Sequence, residues 1–457
     1  MKIKIDGIGK LKDVEFDLDK ISVIVGENNS GKSTIGKTIA SIINSLRISE
    51  DKFFNEVKEI VLKEFHFDFA RFNLFLSQSE KIEKKPSDTL SYFLNIKKAT
   101  TIGEVEISLN KFEIFLNECL ANNDKKNELE KYLILFRGLD KKQKTEEIIK
   151  ELAENIEKAK KTIHDLTFEK YLQTTVYRTL SDTFNGQIYP VLQNINEANV
   201  SLNKTNFNIR DESTLIEGSI ADSYFNSAYF IGDANVLDDL SQYRMFMQFS
   251  KFGLEEVRDS FNLETVLLDA IASNNSVIDE VIGKDTLKQL EDFTTSEFDN
   301  EEVVFKEGRY VTNKTGLDVR NLATGSKLSL ILKQLIRNNK INEKTLIVID
   351  EPESHLHPQW QESISELIVL IAAKLNAKII ITTHSINLLM GIILYSKKYG
   401  IGDKSNYYLI QKIGNYFCTL NNFTSDYNAL IHNLGKPFID LNNKFEKVLF
   451  EENEKHE

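Results

Sequence analysis

Apolar and polar residues alternate at the start of the chain, with Ile3 and Ile5, then Val14, Phe16 and Leu18, separated by charged neighbours. A period of two over short runs predicts half-buried strands. The run Ser22-Val23-Ile24-Val25 continues as a strand, a loop follows, and Ser33 to Ile43 reads as a helix. From about residue 45 to about residue 175 helical patterns dominate, with a strand pair expected around Thr101 to Phe115. Ile149, Leu152, Ile156, Ala159, Ile163 and Leu166 recur at 3-4-3-4-3 spacing. That seam fits either a short coiled-coil-like pairing or an amphipathic helix packed on a neighbour. Strand character returns at Ser227 to Asp233, and Glu301 to Val311 predicts a hairpin turning at Glu307-Gly308. An amphipathic helix begins at Lys327, with Leu328, Ile331, Leu332 and Leu335 on one face. Leu346 to Ile349 is wholly apolar, as in a parallel sheet covered on both faces. A helix and a second such strand, Lys378 to Thr382, complete an α/β unit. A hairpin over Tyr407 to Leu420 and one or two helices are expected to end the pattern.

Composition narrows the class. The chain has 457 residues, of which 41% are hydrophobic, and a mean hydropathy of −0.29, ordinary values for a soluble protein with room for two or three units. Lys2-Ile3-Lys4-Ile5 follows Met1 directly, where a signal peptide would carry an apolar run. The most apolar region, Leu367 to Ser396, is broken by Lys374, Asn376, Lys378 and His384, so no membrane span is expected. Cys119 and Cys418 are too distant in sequence to suggest a disulfide framework. A reducing cytoplasm is the expected compartment. The net charge of −12 argues against bulk attraction to nucleic acid, and Lys141-Lys142-Gln143-Lys144, set among glutamates, reads as a solvated helix face.

Candidate chemistry begins between the third strand and the first helix, in GENNSGKST, Gly26 to Thr34. Gly26-x-x-x-x-Gly31-Lys32-Ser33 has the spacing of a phosphate-binding loop. Glycines let successive backbone N–H groups turn inward around an anion, and the following helix directs its positive end to the same point. Gly26, Asn28, Asn29, Ser30, Gly31, Lys32, Ser33 and Thr34 are thus candidate ATP-binding residues. Lys32 suits the β- and γ-phosphates, and the Ser33 hydroxyl suits Mg²⁺. A glycine-containing surface turn is the bland alternative, and the strand before and helix after weigh against it.

Two further stretches lie where such a loop needs them. Asp350-Glu351 ends the apolar run Leu346 to Ile349, and the carboxyl end of a buried parallel strand is where nucleotides bind. Asp350 can hold Mg²⁺, and Glu351 can orient and deprotonate a water. A surface pair of acids is the alternative, poorly suited to a position directly after four apolar residues. Ile381-Thr382-Thr383-His384-Ser385 then places His384 at the end of the next apolar strand. A histidine there is either structural or a sensor of the γ-phosphate.

GENNSGKST, ATGSK, IVIDEPESHLHPQWQ and ITTHS together resemble the ATP-binding-cassette (ABC) branch of P-loop ATPases. Within it they are similar to the SMC-like and OLD-like bacterial ATPases. The resemblance implies an α/β fold, an ABC-type P-loop NTPase head with a mostly helical insertion. Residues 1–45 and 225–440 would be two halves of that head, 46–224 the insertion and 441–457 a charged tail. It implies catalytic roles for Lys32, Glu351 and His384, with Ser33 and Asp350 on the metal. Glu353 to Pro358 would be a loop crossing a head-to-head dimer interface. Thr324, Gly325 and Ser326 of the signature stretch Asn321 to Lys327 would complete the opposite subunit's ATP site. Ala323 stands where the family carries a signature serine, so turnover is expected to be slow. His355 and His357 form an H-x-H pair that fits the interface loop better than a metal site, since no further ligand lies nearby.

The residues after His384 lack the glycine-flanked DxD cluster of a TOPRIM nuclease. No long coil with a CxxC hook is present either. The chain is therefore similar to the ATPase subunits of bacterial two-gene anti-phage defence systems. That likeness implies an ATP-hydrolysing switch, self-associating as a dimer or higher oligomer, that controls a separately encoded effector such as a nuclease. The alternatives are an SMC-like repair or recombination ATPase that binds DNA directly, and a largely non-hydrolysing ATP-bound scaffold.

Overall fold

A computed structural model of the chain describes residues 1–65, 88–127, 129–130, 145–190, 195–219, 225–250, 262–273, 290, 293, 302–354 and 356–454. They fall into two compact units, Met1–Arg47 with Gln173–Glu457, and Ile48–Leu172. In chain order the elements begin with β1 (Lys2–Asp6), β2 (Val14–Asp17), β3 (Ile21–Val25) and α1 (Lys32–Ser45). Next come α2 (Glu50–Lys63), α3 (Asp88–Lys98), α4 (Ile102–Ala121), α5 (Thr145–Asp165) and α6 (Phe168–Thr183). The chain continues through β4 (Glu197–Leu202), β5 (Thr205–Arg210), β6 (Ser213–Glu217), β7 (Ser227–Ile231), α7 (Leu240–Ser250) and α8 (Leu263–Ala272). The hairpin β8 (Val303–Lys306) and β9 (Arg309–Thr312) leads to α9 (Thr324–Arg337), β10 (Thr345–Asp350), α10 (Pro358–Lys374) and β11 (Lys378–Thr383). The described chain closes with α11 (Ile386–Lys398), β12 (Ser405–Ile413), β13 (Phe417–Asn422) and α12 (Tyr427–Glu454).

The first unit is the expected α/β head. Its six-stranded sheet has the order β13-β12-β3-β11-β10-β7. The strands from β12 to β7 run parallel, and β13 adds an antiparallel edge. β3 and β7 are buried at every residue, as a sheet with both faces covered demands. Ile21, Val23, Val25, Ile347, Ile349, Ile379 and Ile381 share one core with Leu332 of α9, Leu367 of α10 and Leu388 of α11. The edge strand β7 is closed by Asn44 of α1, whose Nδ2 donates to Ala228 O (2.8 Å) while its Oδ1 accepts from Ala228 N–H (3.1 Å).

A second, antiparallel sheet has the order β2-β1-β4-β5-β6 and corrects the expected insertion boundary. Residues 46–224 were expected as one insertion, but the second unit is only Ile48–Leu172. β4 pairs with β1 in the register Ile3↔Leu202 and Ile5↔Val200, which draws β4 to β6 into the head. The alternating burial of β4 and β5 is the same signal that marks β1 and β2.

The second unit is helical, and α4 replaces the strand pair expected around Thr101 to Phe115. Thr101 Oγ1 accepts from Glu104 N–H (3.3 Å), and the Glu104 carboxylate accepts from Thr100 N–H (2.7 Å), a capping-box arrangement that starts a helix. Val105, Leu109, Phe112, Leu116 and Cys119 then fall on one buried stripe at 4-3-4-3 spacing. Burial of that stripe outweighs the strand preference of the β-branched and aromatic residues. The 149–163 seam packs into the same core as α4, with Ile149, Leu152, Ile156, Ala159 and Ile163 all buried, which favours the amphipathic-helix reading. α12 runs unbroken from Tyr427 to Glu454 and so includes most of the 441–457 segment. The 141–144 lysine cluster and residues 455–457 lie outside the described residues. Among the described residues no helix is long and apolar enough to cross a membrane.

Candidate active site

β3, β11 and β10 end side by side, with Val25 opposite Thr383 and Thr382 opposite Asp350. This sheet edge gathers the phosphate loop, the paired acids and the histidine, which are far apart in sequence. The loop leaves β3 and folds back through two left-handed residues, Asn29 (φ 60°) and Gly31 (φ 95°). Gly31 is the N-cap of α1, and no side chain caps that end, which leaves helix N–H groups for an anion. A Cβ on Gly26 would lie 2.4 Å from Ile410 Cγ2, so only glycine fits where the loop crosses β12. Lys10 braces the loop from outside, its Nζ donating to Asn29 Oδ1 (3.0 Å) and Asn29 O (3.3 Å).

Lys32 is buried, and its Nζ donates to Gly26 O (2.9 Å) and Glu27 O (2.8 Å). The same ammonium lies 3.7 Å from Glu351 Oε1. Glu351 Oε1 is in turn 3.6 Å from His384 Nδ1. A cation, a carboxylate and an imidazole therefore line up along the edge. Glu351 itself adopts a left-handed backbone (φ 50°), a conformation that costs a non-glycine residue about 1–2 kcal/mol. Its N–H is held by Thr382 O (3.0 Å) and Thr382 Oγ1 (3.2 Å). Thr382 Oγ1 also donates to Asp350 Oδ1, which fixes the carboxylate that would hold a metal.

ATP and Mg²⁺ fit this set. Ser30 Oγ is buried in the loop without a hydrogen-bond partner among the described residues, the kind of orphan that a phosphate oxygen satisfies. Ser33 and Asp350 would supply the hard oxygen donors that Mg²⁺ prefers. Asn28 is exposed at the loop tip, and Ser33 and Thr34 are half-buried in the first turn of α1.

The signature stretch behaves differently. Among the described residues, no hydrogen bond or ion pair joins Thr324, Gly325 or Ser326 to Lys32, Asp350, Glu351 or His384; Ser326 N–H bonds locally to Ala323 O (3.0 Å). Ala323 caps α9 without a side-chain bond. Lys327 is buried and donates to Asp238 (2.7 and 3.0 Å) and Asn235 Oδ1 (3.0 Å), an anchoring role. Upstream, Asp318 accepts from Arg320 Nε (2.9 Å) and Nη2 (2.7 Å), and this guanidinium pulls its carboxyl down to about 2. His357 is the N-cap of α10, its Nδ1 accepting from Gln359 N–H (3.4 Å), a use that competes with metal binding. His355 lies outside the described residues.

Sequence reasoning missed the inward turn of Glu353. It was read as the first residue of an interface loop, yet it is buried at 5% exposure beneath His384. Its Oε1 accepts from Thr383 Oγ1 (2.6 Å), His384 N–H (2.8 Å) and Ser385 N–H (3.2 Å). An acid two residues beyond the paired acids was the available signal. Its partners, some thirty residues later, were not legible.

The AAA ATPase domain family matches residues 1–389. The chain belongs to that family. This AAA ATPase carries the loop spacing of a P-loop ATPase at Gly26 to Ser33. It is 25% identical over 430 residues to Endonuclease GajA of Bacillus cereus (strain HuB5-5), covering 88% of this chain and 55% of that protein. It is 35% identical over 114 residues to Septu protein PtuA of Bacillus thuringiensis, covering 24% of this chain and 28% of that protein. The ATPase thus spans about half the length of the first relative and a smaller share of the second. Among solved structures it is similar to the SMC head domain from Thermotoga maritima, at 9% identity and a TM-score of 0.36, covering 92% of this chain and 97% of that one. The Smc head domain of Pyrococcus furiosus gives 10% identity and a TM-score of 0.38, covering 94% and 98%.

Proposed function

We propose that this AAA ATPase is an ATP-driven switch that closes head to head around ATP and controls a separately encoded effector, such as a nuclease, in bacterial anti-phage defence. The observation that carries the hydrolytic part is the convergence of Lys32, Asp350, Glu351 and His384 at the ends of three adjacent strands. The family and the two bacterial relatives support the wider reading.

In this reading Lys32 exchanges its two carbonyl partners for the β- and γ-phosphates. Ser33 and Asp350 hold Mg²⁺, which when bound neutralises charge on the phosphate oxygens. Glu351 accepts the proton of the attacking water, and His384 contacts the γ-phosphate side of that water. Among the described residues, Thr324, Gly325 and Ser326 make no hydrogen bond or ion pair with these groups within one chain. Their place in the scheme is therefore to cap the γ-phosphate bound to a second copy, through the N-terminus of α9. Without a serine at Ala323 that cap is weaker, and turnover is slow.

The test measures phosphate release and, by light scattering, molar mass with and without ATP. Glu351→Gln should bind ATP, release no phosphate and accumulate as a dimer, because its effect falls on the transition state. An unchanged mass with ATP, or undiminished phosphate release, would overturn the scheme.

A further inference from the structure

Glu353 makes an arrangement that the hydrolytic scheme does not use. Three donors from consecutive residues of one loop converge on its Oε1, and His384 Nδ1 stands 3.3 Å from the same oxygen. Its other oxygen, Oε2, is buried with no hydrogen-bond partner among the described residues. Burying a carboxylate with one bare oxygen is costly. If the only need were to pin the loop, a neutral amide would supply the same acceptor without a charge.

The ring beside it is what a charge acts upon. An acceptor at Nδ1 fixes which imidazole nitrogen carries the proton and which way the ring faces. Two carboxylates compete for that nitrogen, Glu353 at 3.3 Å and Glu351 at 3.6 Å. Glu353 is the nearer and the more deeply buried, and Glu351 is also within reach of Lys32. Ser385 Oγ donates to Gln361 Oε1 (2.8 Å), and Gln361 Nε2 donates to Leu356 O (3.2 Å). The 383–385 loop is thereby tied at a second point to the 353–358 loop.

We propose that Glu353 is a positioning residue for ATP hydrolysis. Its carboxylate takes the Nδ1–H of His384, so that Nε2 is presented to the nucleotide and Glu351 stays free to receive the proton of the water. The inference rests on the hydrolytic reading of the site.

Glu353→Gln tests it in the full chain, since Gln keeps an amide oxygen for the three donors and removes only the charge. Turnover should fall about tenfold or more, with KM within about threefold and the melting temperature nearly unchanged. In a His384→Ala background the same change should alter turnover less than about twofold, because the two residues act as one unit. Wild-type turnover in Glu353→Gln, or an equal loss with and without His384, overturns the proposal. If the variant does not fold, histidine-selective ¹⁵N NMR of the wild-type protein decides, with the His384 signal assigned from His384→Ala. A proton on Nδ1 supports the proposal, and a proton on Nε2 alone overturns it. Glu351→Gln separates the two levels: wild-type turnover there sinks the hydrolytic reading itself. Loss there but not in Glu353→Gln sinks only this inference.

Discussion

Lys32→Ala isolates the group on which nucleotide binding most depends. In the ligand-free site the Lys32 ammonium is already engaged with two neutral carbonyls. Binding ATP therefore exchanges bonds and does not simply add them. Two bonds to charged phosphate oxygens are worth about 1.5–3 kcal/mol each, and the two carbonyl bonds given up about 0.5–1 kcal/mol each. The net contribution is about 1–5 kcal/mol, so Lys32→Ala should weaken ATP binding roughly 5- to 4,000-fold. Glu351 works against full recovery by a neutral replacement. With the ammonium gone, its carboxylate, 3.7 Å from the lost charge, faces the phosphates uncompensated. Isothermal titration with ATP and Mg²⁺ reads the affinity directly, and the variant must first match the wild-type circular dichroism spectrum. An affinity within about threefold of wild type would refute both the exchange argument and the assignment of the loop.

Ser326→Arg should leave ATP binding by the single chain intact and abolish nucleotide-dependent dimers of Glu351→Gln; dimers of undiminished amount by light scattering would count against the shared site. Gly31→Ala should lower stability to urea by about 1–2 kcal/mol, the cost of placing a Cβ at φ 95°, and an unchanged midpoint would contradict it. The Asp318 carboxyl is lowered in the fold, to about 2 from 3.8, so its contribution to stability is complete above the unfolded value and fades as pH falls toward the folded one. Asp318→Asn should therefore melt earlier than wild type at neutral pH, with the gap closing in acid; a pH-independent gap would refute the ion-pair account. Incubated with plasmid DNA or RNA, ATP and Mg²⁺ or Mn²⁺, the purified chain should leave both intact. Cleavage that survives in Lys32→Ala would reveal a second catalytic site.

The parts of the molecule that were legible in the sequence are those written in a few adjacent residues. Gly26 to Thr34, Asp350-Glu351 and His384 each carry their chemistry within one turn or strand end, so spacing alone places them. The largely apolar, fully covered strands β3, β10 and β11 were legible for the same reason. What escaped depends on partners far along the chain. Lys327 finds Asp238, and Glu353 finds Thr383 and His384, across intervals that no local pattern spans. The helix α4 was misread because Ile102, Val105, Ile107 and Phe112 favour strands locally, and only the buried stripe through Val105 and Phe112 makes the segment helical. The strands β4 to β6 hid in a polar stretch, with Asn203-Lys204 and Asp211-Glu212 as their turns.

The central position of β3 has a consequence for biogenesis. β3 pairs with β11 and β12 and with no earlier strand, although it lies near the amino end of the chain. Its partners, which begin at Lys378 and Ser405, are synthesised much later. At about 5–20 residues per second, Ile21 to Val25 must wait tens of seconds on the ribosome before either neighbour emerges. During that interval a largely apolar strand is exposed with both edges open, which is the condition that favours mispairing and chaperone capture. The phosphate loop cannot acquire its shape until then, because Ile410 of β12 is the wall against which Gly26 is set. ATP binding therefore waits on β11 and β12, and nucleotide occupancy reports that this part of the sheet has closed.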